Sequence, residues 1–143
     1  MREQANSMKV VSAIAPAVYS ADTTPVAIDR QGFASATFAI HVGAGGITFN
    51  GTNKIEFVLE DSYDGADWSP VWARDVVGPK LTADDGVVLA LKSAHADPSV
   101  TKFGYIGDAR FVRLTADFSG THGTGTALSA VAIFGRPAHA PVT

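Results

Sequence analysis

The feature that most constrains this chain is the alternation in Ala109 to Pro137, ARFVRLTADFSGTHGTGTALSAVAIFGRP. Val112, Leu114, Ala116 and Phe118 fall on one side of an extended chain, and Arg113, Thr115 and Asp117 on the other. After a Gly/Thr/His loop, Leu128, Ala130, Ala132 and Phe134 repeat the pattern. A period of two places every second side chain on the same face of a sheet, so these are strands with one buried face. Nothing in them is placed for chemistry.

The same pattern appears earlier in the chain. Phe33 to Val42 alternates, with Ala34, Ala36, Phe38, Ile40 and Val42 inward and Ser35, Thr37 and His41 outward. Lys54 to Glu60 puts Ile55, Phe57 and Leu59 inward, and Lys54, Glu56 and Glu60 outward. Further strands are expected at Lys9 to Ile14, Pro25 to Asp29, Trp68 to Val76, Val87 to Leu91 and Lys102 to Ile106. Turn signals separate them: Gly43 to Gly46, Asp61 to Asp67, Gly78-Pro79 and Asp84-Asp85-Gly86. Gly107-Asp108-Ala109 reads as a hairpin turn, and Lys92 to Ser99 as a short helical turn ended by Pro98. No amphipathic helix of useful length is present. Eight or nine short strands at this spacing predict an all-β, jelly-roll-like β-sandwich. Phe38, Ile40, Phe57, Leu59, Leu89, Val112, Leu114 and Phe134 are its expected core.

At 143 residues the chain fits one domain with a real core. The expected division is a flexible arm over 1–8, a sandwich over 9–136 and an extended tail over 137–143. Met8 is a second candidate start. Charged residues are 17% of the chain against about 25% in ordinary soluble domains. So little charge to cover a surface points to burial against other chains. A net charge of −3 with singly scattered Lys and Arg argues against nucleic acid. No cysteine is present, so neither disulfides nor thiolate metal sites contribute. The apolar run Val10 to Val18 is too short and too broken for a secretion signal, and no segment approaches the ~20 apolar residues of a membrane span.

Candidate chemistry is sparse. GAGG (Gly43 to Gly46) lacks the Lys-Ser/Thr and the helix of a phosphate loop. Asp61, Asp64 and Asp67 match no calcium-loop spacing, and Asp64-Gly65 is an ordinary turn pair. Glu56 and Glu60 would stand about 13 Å apart along one strand, too far for a hydrolytic pair. The four histidines, His41, His95, His122 and His139, form no metal-ligand spacing. Trp68 and Trp72, four apart in a strand, would share a face and offer a platform for sugar rings, or else be core. The expectation is a protein that is not an enzyme and holds no cofactor or metal.

Several stretches carry a family likeness: ADTTPVAIDRQGF (Ala21 to Phe33), VGAGGITFNGTNKIEFVL (Val42 to Leu59), the DG-x-x-W element Asp64 to Trp68, and Ala109 to Pro137. In these the chain resembles small virion structural proteins of tailed phages and prophages, minor capsid or head-decoration proteins of β-sandwich type. The resemblance implies a protein made in the host bacterial cytoplasm that cements the outside of a capsid. Its partners would be the major capsid protein and itself, as a homotrimer, with no nucleic acid and no membrane. Candidate capsid or subunit contacts are Arg2, Met8, Thr121, His122, Arg136, Pro137, His139 and Pro141. SYDGADWSPV followed by ARFVRL is also similar to discoidin-type carbohydrate-binding sandwiches. That second likeness implies a virion-surface or tail-associated sugar module with Asp64, Trp68 and Trp72 as contacts.

Overall fold

A computed structural model describes residues 3–142. Ten strands lie in two antiparallel five-stranded sheets packed face to face. They are β1 (Lys9–Tyr19), β2 (Ile28–Asp29), β3 (Phe33–Val42), β4 (Lys54–Ser62), β5 (Ser69–Pro70), β6 (Val76–Val77), β7 (Val87–Leu91), β8 (Ser99–Tyr105), β9 (Phe111–Ser119) and β10 (Thr126–Pro137). The first sheet runs β1-β10-β3-β8-β6. The second runs β2-β9-β4-β5, with β7 also paired to β4. Leaving out the two-residue β5 and β6, the chain changes sheet at every connection except β4 to β7. That is the strand order of a jelly roll.

The alternation builds the core. Ala36, Phe38, Ile40 and Val42 of β3 meet Leu128, Ala130, Ala132 and Phe134 of β10 on the inner face of the first sheet. Ile55, Phe57 and Leu59 of β4 and Val112, Leu114 and Ala116 of β9 fill the inner face of the second. Phe38 stacks on Phe103 with ring centroids 5.1 Å apart. The expected core residues are fully buried except Leu89, which is half-buried against the cluster while its neighbour Val88 is buried. Leu89 pairs with the buried Phe57, and a register shift between Phe57 and Val58 brings Val88 onto the inner face beside it. Next to the shift Gly86 has φ +73°, and a side chain there would collide with the Leu59 carbonyl.

Five local expectations differ from the structure. Gly107-Asp108-Ala109 is a crossover between sheets, since β8 pairs with β3 and β9 with β4. Tyr105 and Arg30 hold it: Tyr105 Oη accepts from Ala109 N (3.2 Å), and Arg30 donates to the carbonyls of Ala109 and Gly107, each at 2.6 Å. Trp68 to Val76 is no single strand. Pro70 removes a ladder donor, and a 3₁₀ turn at Ala73–Asp75 carries the chain from one sheet to the other. Residues 92–98 contain no helical turn; instead His95 reaches the Gly43 carbonyl (3.1 Å) and stacks on Phe49. β1 does not stop before Pro16 but continues to Tyr19, with register shifts on either side of Ile14. Ala34, expected inward, is exposed beyond the covered part of β3.

Candidate functional site

The residues proposed from the sequence fall into three places. Arg2 lies outside the described residues. Met8, Arg136, Pro137, His139 and Pro141 gather at one end of the sandwich. There Pro137 pairs with Phe33, Ala138 N donates to the Gly32 carbonyl (2.8 Å) and Val142 N donates to the Asn6 carbonyl (2.9 Å). Lys9, Phe33, Pro137, His139, Pro141 and Val142 line a groove of about 320 Å³ there. The two terminal segments are therefore tied to the body and to each other. Residues Ala5–Ser7 of the expected arm form a 3₁₀ turn.

Thr121 and His122 lie beyond the opposite end of the 12-residue β10. Thr121 is exposed, but His122 is buried and cannot serve as a surface contact. Its ring meets Phe118 edge-on at 4.7 Å, and its Nε2 lies 2.7 Å from the Ser119 carbonyl.

The third group is Asp64, Trp68 and Trp72. Asp64 is spent on its own turn. Its Oδ1 accepts from the Ala66 and Asp67 amides (2.8 and 2.9 Å), and these amides, Asp67 first, hold the carboxyl below the usual range. Trp68 and Trp72 share no platform. Arg113 caps the Trp68 ring at 4.3 Å, and Arg74 caps the Trp72 ring at 4.0 Å. Trp72 instead joins Tyr63, Asp61, Asp67 and Asp75 around a cleft of about 300 Å³. Tyr105 Oη donates to Asp61 Oδ2 at 2.7 Å; burial first and Asp61 second push the phenol up. Glu56 and Glu60 belong to ion pairs, with Lys54 (2.8 Å) and Arg113 (3.1 Å). Among the described residues no group of three or more His, Cys, Asp or Glu is placed to hold a metal. No helix among them is long and apolar enough to cross a membrane.

The most distinctive surface lies elsewhere, on the outward side of the first sheet. Cross-strand pairing aligns Val10, Ile133, Thr37, Gly104 and Val77 in one row, and Ser12, Val131, Ala39 and Lys102 in the next. His41 with Val100, and Val18 with Ala127, continue the face. Lys102 carries the one formal charge among these positions. Val10, Val18, Val77 and Val100 are each more than half exposed. The alternation of β10 held the signal: its outward positions include Val131 and Ile133, where β9 has Arg113 and Asp117.

The outward side of the second sheet is charged. It holds Lys54–Glu56, Arg113–Glu60 and Arg110–Asp29, the last at 2.6 Å. The Arg110 hydrogen bond holds the Asp29 carboxyl below the usual range. Asp117 stands opposite Glu56, and burial first, then Asp22 and Glu56, push its carboxyl up. The sequence matches no protein-family model and no curated protein.

Proposed function

We propose that this protein is a structural module of a tailed-phage particle, a decoration protein that binds the outside of the head and cements it. The resemblance of its segments to such proteins motivates this function. The observation that carries it is the contrast between the two outward faces. A jelly roll with one charge-poor face exposing valines is suited to permanent protein contact, because burying that face desolvates almost no charge. The mechanism is adhesive: apolar area and polar contacts are added across joints between shell subunits, and repetition over many sites stiffens the shell. In that particle the charge-poor face serves contact between copies of the chain, and the end that carries both terminal segments, with Met8, Arg136, Pro137, His139 and Pro141, is the proposed capsid contact.

The test is co-sedimentation of the purified chain with undecorated capsids. Binding that saturates, and that falls when residues 139–143 are removed from a protein that still folds, is the expected result. A second function is favoured by one observation: Tyr63 and Trp72 expose 75% and 49% of their surface beside the 300 Å³ cleft. Aromatic rings next to carboxylates suit a sugar. If the chain ignores capsids but binds glycans, and Trp72→Ala abolishes that binding, the sugar-binding function replaces decoration.

A further inference from the structure

We infer that the outward face of the first sheet pairs with the same face of a second copy of this chain. This goes beyond the capsid function and stands without it. The sandwich can associate through edges or through faces, and its edges are short or interrupted. β6 leaves only Ser99–Phe103 of β8 uncovered, and β2 covers only the start of β9, beyond which Thr23 and Asp22 bond Ala116 and Phe118. β1 is bulged twice and contains Pro16. β2, β5 and β6 are two residues each, and β6 runs into Gly78-Pro79. The free side of β7 is five residues long and irregular against β4. Short, bulged or proline-bearing edges are how sheets avoid lateral pairing.

The faces differ in what they would meet. Stacking the second sheet on itself would bring Glu56, Glu60, Asp117 and Arg113 against their own images, and desolvating them costs more than it returns. The first sheet has no such cost. Lys102 sits on β8, toward the β6 edge, where a long side chain can lay its stem on the face and keep its ammonium in water. A symmetric contact places one patch against itself, so a patch nearly without charge is self-complementary.

The area is sufficient. Four strands at about 4.8 Å spacing, each about ten residues long at about 3.3 Å rise, give roughly 600 Å² per copy. A pair then buries about 1,200 Å², where stable interfaces begin. The face also has relief. An open groove of about 350 Å³ is lined by Pro16, Val18, His41, Ala127 and Ser129, and can receive a valine from the facing sheet. Two sheets packed in this way share a two-fold axis, so the unit is a dimer rather than the trimer expected from the family likeness.

Sedimentation equilibrium of the full chain from about 1 to 100 µM tests this. The expected mass is twice 14.9 kDa. Val10→Glu and Val100→Glu change side chains that are 61% and 65% exposed, so each chain should fold as before. Each should raise the dimer dissociation constant at least about 100-fold, because two carboxylates are buried per pair. A single-chain mass at about 100 µM, a trimer mass, or a dimer that both variants leave intact would overturn the inference. Because the chain has no cysteine, single cysteines provide an independent arm. Val131→Cys on the first sheet should give a cross-linked dimer with a short bis-maleimide, and Glu56→Cys, partly exposed on the outward face of the second, should not. The reverse pattern would also overturn it. A monomer that still pellets with capsids would refute the pairing and leave the decoration function standing.

Discussion

The two sheets have nearly interchangeable inner faces and opposite outer ones. Inside, each presents alternating Phe, Ile, Leu, Val and Ala, all at or near full burial. Outside, the second sheet carries ion pairs and arginines stacked on aromatic rings, while the first presents valine, isoleucine, alanine, serine and threonine around one lysine. Water can satisfy the charged face indefinitely. The other gains from being covered. Inner faces are set by folding, which any sandwich requires, so they say little about function. The outer faces are free to differ, and that is where this chain records its use.

The largest expected effect tests the shared interior. Phe57→Ala should cost about 3–5 kcal/mol in chemical denaturation, the usual range for a buried aromatic. A loss below about 1 kcal/mol would mean that β4 is packed in the other phase, since a one-residue slip exchanges its faces.

The charged outer face should matter less, and only to the fold. Arg113 pairs with Glu60 and covers the Trp68 ring, with about a quarter of its side chain exposed. Arg113→Ala should lower stability by about 1 kcal/mol and leave the association state alone. A variant that instead dissociates the protein would place the contact on the second sheet.

Asp117 gives a smaller effect with a defined sign. Burial and its acidic neighbours raise its carboxyl in the folded state, so the folded chain holds that proton more tightly than the unfolded chain. Ionised Asp117 therefore costs stability at neutral pH. The cost fades as pH falls through the raised value, and is gone below the ordinary value of 3.8. Asp117→Asn should raise the melting temperature by about 1–2 °C at neutral pH. The difference should vanish near pH 3, and a gain that grows on acidification would contradict it.

The smallest effect on the fold belongs to the apolar outer face. Val100→Thr should change the stability of the folded chain by less than about 0.5 kcal/mol. A larger loss, measured on dissociated protein, would show that Val100 serves the core.

Much of this was legible in the sequence. The alternation places β3, β9 and β10 and nearly all their inward residues correctly, because period two is a direct imprint of one-sided burial. It cannot reveal where the chain crosses between sheets. Gly107-Asp108-Ala109 has the same turn chemistry whether the next strand pairs with the last or lies opposite it; the choice is made by Tyr105, Arg30 and the pairing of β9 with β4. Strands of two residues leave no period, so β5 and β6 were hidden inside one expected strand. His122 sits in a Gly/Thr loop with no pattern, and only the folded positions of Phe49 and Phe118 show that it is buried. The charge-poor face was present in the outward residues of β10. Recognising it as one surface required the registers that set Val10, Ile133 and Thr37 side by side.

The measurement that tests the central claim most directly is the salt dependence of self-association. Sedimentation equilibrium of the unmodified chain would be run at about 0.05 M and about 1 M sodium chloride, where the screening length falls from above 10 Å to about 3 Å. An apolar contact through the first sheet predicts a dimer whose dissociation constant stays the same or tightens as salt rises. A dimer that weakens tenfold or more would be held by charges, and would move the interface to the opposite face of the molecule.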